Sequence, residues 1–178
     1  AVNFDYFPAD AGGGEGKTFH DLTPGNIEGV YRTDGDMDIE PTDGGGYNRT
    51  DLEPGEWVNY TVCIPSAGPF GILVNYAAGN GNGKIKFSFN VTDKTGEVSL
   101  PYGGPYSAGW QDWKIFTLTS EATLEAGVLS MRIYILGSEK AFNLSSVFIK
   151  KGQVISFNPI PVKKTGDADF TPLAFASS

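Results

Sequence analysis

The chain has 178 residues, enough for one domain with a full hydrophobic core. Its formal net charge of −8 argues against partners such as nucleic acid or an anionic membrane surface, and favours neutral partners or bound cations. A single cysteine excludes an internal disulfide framework and a cysteine-rich zinc site. The 24 glycines, 11 prolines and 8 tyrosines favour short strands and many turns, so we expect an all-β protein.

The N-terminal sequence AVNFDYF lacks the basic start and apolar run of a signal peptide. No stretch of the chain is apolar enough to span a membrane. We expect the sequence to begin after such a leader. In the same segment Asn3 and Asp5 are two apart, so they share one strand face and both offer oxygen atoms, which suits calcium.

A hydrophobic period of two predicts a strand in EWVNYTVCI. Its apolar face consists of Val58, Tyr60, Val62 and Ile64. Trp57 and Asn59 share the opposite, polar face. Cys63 lies inside this apolar run, and cysteine is among the most buried residue types, so we expect it to be buried.

The segment KIKFSFNV shows the same alternation and predicts a half-buried antiparallel strand. Its side chains expected to face inward are Ile85, Phe87, Phe89 and Val91. Further strands are expected at residues 70–77, 113–120, 128–136 and 143–150, with turn signals between them.

These elements predict an antiparallel β-sandwich of jelly-roll type. We expect residues 1–151 to form one module. The last segment, 152–178, has three prolines and little alternation after Phe157, so we interpret it as a linker or an added edge segment.

Candidate catalytic groups are few. The only histidine, His20, lies in a turn-rich stretch, which argues against nucleophilic catalysis of the Ser-His or Cys-His kind. Glycoside hydrolysis needs two carboxyl groups facing each other across a cleft. The glutamates available for such a pair lie in apparent turns or strand ends, where acidic residues are usually solvated: Glu40, Glu53, Glu56 and Glu97.

The segment RTDGDMDIEPTDGGG has the oxygen density that hard cations such as calcium require, but it lacks the spacing of an EF-hand. An exposed acidic loop is the alternative interpretation. Its acidic residues are Asp34, Asp36, Asp38, Glu40 and Asp43.

The aromatic residues in glycine-rich loops suit the recognition of sugars, because a pyranose has an apolar face for stacking and a rim of hydroxyl groups. They are Tyr31, Tyr47, Tyr102, Tyr106 and Trp110. In GWQDW, Trp110 and Trp113 are three apart, so in an extended chain their rings point to opposite faces. The alternative is that one or two of the loop rings close the end of the sandwich.

The order of four motifs resembles the carbohydrate-binding modules of family 6. The motifs are EGVYRTDGDMDIEPTDGGGYN, LEPGEWVNYTV, GWQDW and FNLSSVFIK, and the likeness runs from about residue 2 to 150. The family consists of lectin-like β-sandwich domains attached to secreted polysaccharide-degrading enzymes. The resemblance implies a non-catalytic, monomeric module that holds a catalytic domain in cis against xylan, β-glucan or an agar-type galactan.

The resemblance implies a loop site in which two aromatic rings clasp a sugar and an asparagine hydrogen-bonds to it. Trp110 and Asn143 match one ring and the asparagine, which would leave Trp113 as a core residue at the start of the next strand. The position of the other ring is Asp51, which cannot stack but can accept hydrogen bonds. Three tyrosines are candidates for the missing ring: Tyr47, Tyr102 and Tyr106.

A second family site centres on a tryptophan that matches Trp57, on the polar face next to Asn59. The family also carries a structural calcium ion, whose side-chain ligands would be Asn3, Asp5 and Ser145. Two other classes of function stay open at this point: a small jelly-roll glycoside hydrolase and a lectin-like adhesion module.

Overall fold

The computed structural model describes residues 2–5, 14–152, 155–157 and 174–176. Within these residues, no helix is long and apolar enough to cross a membrane. The described strands, in chain order, are β1 (Phe19–His20), β2 (Ile39–Pro41), β3 (Tyr47–Arg49), β4 (Trp57–Ile64), β5 (Gly68–Ala78), β6 (Gly83–Phe89), β7 (Thr92–Asp93), β8 (Val98–Ser99), β9 (Lys114–Leu124), β10 (Gly127–Gly137), β11 (Phe142–Lys151), β12 (Ile155–Phe157) and β13 (Ala174–Ala176).

Two antiparallel sheets form the predicted β-sandwich of jelly-roll type. The first has the order β1-β4-β10-β6-β7, with β8 also paired to β6. The second has the order β2-β3-β11-β5-β9. Strands that are distant in sequence are neighbours in both sheets, as in a sandwich with crossing connections. The strands expected at 70–77, 113–120, 128–136 and 143–150 correspond to β5, β9, β10 and β11.

The core lies between the inward faces of the two sheets, because alternate side chains of each strand point there. In β6, Ile85, Phe87 and Phe89 are buried as expected. Opposite them, β5 and β11 contribute Val74 and Leu144, both fully buried. The sequence pattern therefore predicted the inward face of β6 correctly as far as Phe89. In β4 it was correct for Val58 and Ile64, whereas Tyr60 and Val62 are half-buried.

Two apolar residues expected inside are on the surface. Val91 is 94% exposed, because β6 ends at Phe89 and the chain turns through Asn90 and Val91, both with positive φ. Cys63 is also exposed, and it lies opposite the exposed Val128 of β10. Both predictions of burial were wrong.

Within the segment 152–178, β12 and β13 pair with each other in antiparallel fashion, with Ile155 opposite Ala176. The amide of Gly152 donates to the carbonyl of Pro69 at 2.9 Å. The rest of this segment lies outside the described residues. Its interpretation as a linker or an added edge segment therefore stays a prediction.

Candidate functional site

Trp110 is the exposed ring of the GWQDW loop, with 44% of its surface accessible. Its indole lies against the backbone of Gly79, directly after β5, so closely that a Cβ at position 79 would overlap the ring. Tyr102 lies near Gly81 of the same turn, where a Cβ would still fit at 3.8 Å from the Tyr102 ring. The Trp110 ring therefore rests on Gly79, the first residue of the glycine-rich turn 79–83.

Glu40 holds the polar side chains around Trp110 in place. Its Oε1 atom accepts three amide hydrogen bonds, from Asn48 Nδ2 at 2.9 Å, Gln111 Nε2 at 3.0 Å and Asn143 Nδ2 at 2.6 Å. Asn143 Nδ2 also donates to the carbonyl of Trp110 at 3.1 Å. Because Nδ2 of Asn143 is used in this way, its Oδ1 atom is the group that can accept a hydrogen bond from a ligand.

Trp113 anchors the loop instead of filling the core. It precedes β9, is half-buried, and its Nε1 donates to Gln111 Oε1 at 3.0 Å. The same oxygen accepts the amide of Asp43 at 3.1 Å. The prediction that Trp113 is a core residue was wrong, because the indole N–H needs a partner that the apolar interior does not provide.

Trp110 and Asn143 line a cleft of about 320 Å³ that also contains Asp51. The other lining residues are Glu28, Glu40, Thr50 and Lys140. The structure therefore brings together the three residues that the family resemblance assigned to the loop site. It adds Lys140, Glu28 and Thr50, to which the sequence had assigned no role in the site.

Asp51 and Lys140 form an ion pair across the cleft, with Nζ 2.6 Å from Oδ1. The Asp51 carboxylate raises the pKa of Lys140, so the lysine stays charged. Both residues have positive φ, 47° and 48°. The backbone also joins the two loops, since the Lys140 amide donates to the carbonyl of Leu52 at 2.8 Å. An ion pair thus lies at the position that the resemblance assigned to the second ring.

Two residues close to Asp51 in the sequence, Arg49 and Glu56, belong to a cluster of buried ionisable side chains. Arg49 is fully buried, and its Nη2 lies 3.4 Å from Glu56 Oε2. Its Nε and Nη1 atoms have no hydrogen-bond partner among the described residues. Burial raises the pKa of Glu56 to about 7 and that of Asp38 to about 6. Burial raises the pKa of Asp21 as well.

The three candidate tyrosines lie outside the lining of the Trp110 cleft. Tyr47 stacks on Tyr31 with 4.9 Å between ring centroids. Tyr106 meets Phe116 edge to face at 6.3 Å. Tyr102 is 49% exposed and lies near Gly81, in the same turn as the Gly79 that Trp110 contacts.

Trp57 lies on the outward face of the first sheet, as its strand phase predicted, and Asn59 lies on the same face. The guanidinium carbon of Arg132 is 3.7 Å from the centroid of the Trp57 ring. Arg132 Nε donates to Asn59 Oδ1 at 2.8 Å. The Arg132 cation therefore covers one face of the Trp57 ring, the ring that the resemblance assigned to the second family site.

Of the three residues predicted to bind calcium, two line the same cleft and the third, Asp5, is not part of its lining. Asn3 and Ser145 line one cleft together with Tyr47. Both oxygens of Asp5 are used by Thr61, whose amide and hydroxyl donate to them at 2.8 and 2.9 Å. The side chains that face this cleft are neutral, so the set fits calcium weakly. Among the described residues, no group of three His, Cys, Asp or Glu could hold a metal ion.

The acidic segment 34–43 is not one exposed loop, because Asp38 is buried and Glu40 is half-buried. Three of the four glutamates considered for hydrolysis are not part of the lining of the Trp110 cleft. Glu56 is buried with Arg49, and Glu97 pairs with Lys84 on the surface. Of the four, Glu40 lines the Trp110 cleft.

Three solved structures of carbohydrate-binding modules are similar to this protein. The chain matches the C-terminal family 6 module of LamC, a marine laminarinase from Zobellia galactanivorans, with 25% identity, a TM-score of 0.56, and coverage of 65% of this chain and 89% of that one. It matches a module of Cellvibrio mixtus lichenase 5A, solved with cellotriose, with 28% identity, a TM-score of 0.56 and coverage of 65% and 87%. A β-1,3-glucan-binding module from Bacillus halodurans shares the fold, with 24% identity, a TM-score of 0.54 and coverage of 64% and 85%.

No curated protein matches the chain at a significant level. The model of the carbohydrate binding module (family 6) matches residues 30–151, which is more than half of the chain. This range contains Trp57, Trp110 and Asn143, together with both sheets except β1. The protein therefore belongs to family 6 of the carbohydrate-binding modules.

Proposed function

We propose that the Trp110 cleft binds an oligosaccharide or the end of a polysaccharide. We further propose that the protein serves as a non-catalytic targeting module. The observation that carries this proposal is an exposed indole, fixed by Gly79, at the edge of a polar cleft of about 320 Å³. A flat apolar ring beside hydrogen-bonding groups is complementary to a pyranose, which has an apolar face and polar edges.

In this cleft the protein would mainly accept hydrogen bonds, and the hydroxyl groups of the sugar would donate them. Asn143 Oδ1, the carboxylate of Asp51 and the second oxygen of Glu40 can each accept a sugar hydroxyl. Because Glu40 already orients Asn143, the amide loses little freedom when a ligand binds. We expect dissociation constants on the order of 10⁻³ to 10⁻⁵ M, about 4 to 7 kcal/mol, as suits a small and wet contact.

We propose β-glucan oligosaccharides as the first ligands to test, with xylan and agar-type galactan as alternatives. Two similar structures support this choice: one module comes from a laminarinase, and another was solved with cellotriose. One ring and an ion pair in place of two rings favour a chain end over a long internal stretch. We also propose that the module is secreted, monomeric and joined in cis to a glycoside hydrolase, whose attachment would add avidity.

Titration calorimetry of the unmodified protein and Trp110→Ala against these oligosaccharides tests the proposal. We expect one sugar to bind, and Trp110→Ala to abolish the heat without changing the melting temperature by more than a few degrees. Phe148→Ala, on the second sheet, is the matched aromatic control and should bind normally. Binding that survives Trp110→Ala would place the sugar elsewhere.

An assay of reducing-sugar release on the same polysaccharides separates this function from glycoside hydrolysis. We expect no release. Of the four candidate glutamates, Glu40 alone lines the cleft, and its Oε1 atom already accepts three amide hydrogen bonds, which suits a positioning role better than that of a general acid. Release that disappears in Glu40→Gln would instead make the chain an enzyme. Failure to bind any plant or algal oligosaccharide, with binding to cell-surface glycans, would favour the adhesion module.

We also propose a low-affinity structural calcium ion in the cleft of Asn3 and Ser145. Neutral oxygen donors without a carboxylate hold calcium weakly, so stabilisation should require millimolar calcium. The melting temperature should then rise with calcium and fall with a chelator, and Asn3→Ala should remove this response. A melting temperature that calcium leaves unchanged would exclude the ion.

A further inference from the structure

The Trp110 cleft contains more acidic than basic side chains. Three carboxylates line it, those of Glu28, Glu40 and Asp51, and one ammonium group, that of Lys140. Glu28 is exposed, and the three amide hydrogen bonds of Glu40 all go to its Oε1 atom. Neutral amides bind hydroxyl groups as well as carboxylates do, so a neutral sugar does not require this excess of negative charge.

Lys140 reports the electrostatic potential inside the cleft. Its pKa is raised, first by the hydrogen bond and the charge of Asp51, and further by the charges of Glu53 and Asp38. Glu53 and Asp38 are not part of the cleft lining, so the lining is not the sole source of the negative potential. The cleft therefore stabilises a cation at the position of Lys140 Nζ, 2.6 Å from Asp51 Oδ1.

The ammonium group of Lys140 is exchangeable. The lysine side chain is 51% exposed, and an exposed ion pair of this kind adds little stability because water screens it. Lysine also has a long stem with many rotamers, which favours release of its charged end into water. A ligand that brings its own ammonium group can therefore take the same place on Asp51, or pair with the exposed carboxylate of Glu28.

We propose that the Trp110 cleft prefers an oligosaccharide with free amino groups, such as a β-linked glucosamine chain, over the neutral glucan of equal length. This inference rests on the proposed function and names the substrate class of the same cleft. One sugar face packs on Trp110, a hydroxyl group donates to Asn143 Oδ1, and the protonated amines pair with the carboxylates of Asp51 and Glu28. A charge-assisted hydrogen bond is stronger than one from a hydroxyl group, which gives the amino sugar its advantage.

Titration calorimetry of the whole chain tests the proposal with three β-1,4-linked trisaccharides that differ only at C2. This carbon carries a hydroxyl group in the glucose trimer, an amine in the glucosamine trimer and a neutral acetamide in the N-acetylglucosamine trimer. At about pH 6 the free amine is protonated. At low salt we expect the glucosamine trimer to bind about tenfold more tightly than the glucose trimer. The acetylated trimer should show no such gain, and about 1 M NaCl should remove most of the preference.

Two substitutions in the cleft should change the ratio of these two affinities in opposite directions. Glu28→Gln removes a carboxylate but keeps a hydrogen-bonding group, so it should lower the preference for the glucosamine trimer about threefold. Lys140→Gly removes the competing cation and should raise the preference about threefold. A loss of cleft shape would change both affinities together and leave their ratio unaltered.

The matched control is Glu121→Gln, which removes the same charge from an exposed residue of β9. The strand register places Glu121 near the Phe70 end of β5, whereas Asn143 of the cleft pairs with Ala77 near the other end. Glu121→Gln should therefore leave the ratio unchanged. An equal effect of Glu121→Gln and Glu28→Gln would show that only the net charge of the protein attracts the amine, which overturns the inference.

Two further results would overturn the inference while the proposed function stands. In the first, a neutral oligosaccharide binds and the glucosamine trimer binds no more tightly. In the second, the glucosamine trimer binds Trp110→Ala as tightly as the unmodified protein, so the amino sugar lies elsewhere, whereas a neutral oligosaccharide loses its binding. If no oligosaccharide of any class binds, the proposed function and this inference fail together.

Discussion

The ring of Trp110 lies against Gly79 so closely that position 79 cannot carry a side chain while the ring stays in place. Gly79→Ala should therefore displace Trp110 and weaken oligosaccharide binding about tenfold, the equivalent of about 1.4 kcal/mol of stacking. Titration calorimetry measures the change. Gly81→Ala is the control, because its Cβ would meet Tyr102 at an ordinary 3.8 Å. If both variants lose affinity equally, any substitution in the turn weakens binding, and the position of the Trp110 ring is not the cause.

Glu40 accepts three side-chain amides with one oxygen, so its removal leaves several polar groups without a shared acceptor. We expect Glu40→Ala to lower the free energy of unfolding by about 1–3 kcal/mol and to weaken sugar binding, because Asn143 loses its orientation. Urea denaturation and calorimetry measure the two effects. Glu97→Ala removes an exposed glutamate and should change stability by less than about 1 kcal/mol. Unchanged binding in Glu40→Ala would contradict the assigned role.

Asp51 and Lys140 can be separated by substitution, because both have positive φ and glycine adopts that backbone without strain. If the Asp51 carboxylate accepts a sugar hydroxyl, Asp51→Gly should weaken binding about tenfold. Lys140→Gly should preserve or improve binding, since it leaves both carboxylate oxygens for the ligand. Calorimetry compares the two. Equal losses would indicate that the ion pair shapes the cleft and that the carboxylate itself does not bind.

The buried carboxyl groups predict how stability varies with pH. Burial raises the pKa of Glu56 from 4.5 to about 7 and that of Asp38 from 3.8 to about 6, so the folded protein binds these protons more tightly than the unfolded chain. Stability contributed by these groups is complete below about pH 4 and is lost as the pH rises to about 7. Arg49, Asp21 and Asp51 are the charged neighbours that modify this dependence.

Urea midpoints between pH 4 and pH 8 measure this dependence. We expect Glu56→Gln to reduce the loss of stability between about pH 5 and pH 7. The smaller loss that remains would come from Asp38. Glu97→Gln removes an exposed carboxyl group and should retain the wild-type slope. A decline of equal steepness in Glu56→Gln would show that this carboxyl group does not take up the proton.

The long strands could be predicted because one face of each is buried, which imposes a period of two on the sequence. The same period also put Cys63 on the outward face with Trp57, and the wrong prediction followed from the general preference of cysteine for burial over its strand phase. For Val91 the alternation continued past the point where the chain turns at Asn90. Within a strand, the alternation of side chains therefore predicted burial better than the type of residue did.

The grouping of Trp110, Asn143 and Asp51 in one cleft could be predicted, because each of these residues matches one family position. The interactions that hold it were not, because they join residues far apart in sequence. Glu40 lies 103 positions from Asn143, and nothing local to either residue indicates the bond. Lys140 was missed for the same reason, although a lysine beside the turn before FNLSS could have suggested a partner for Asp51.

The exposed thiol of Cys63 has a consequence for the behaviour of the protein in solution. It is the single cysteine of the chain and lies on the surface of β4, opposite Val128. An exposed thiol can be oxidised by air to a disulfide between two copies while the protein is handled. A covalent pair carries two clefts and would bind a polysaccharide by avidity, which a monomer does not. The affinity of the monomer is therefore measured with a reductant present.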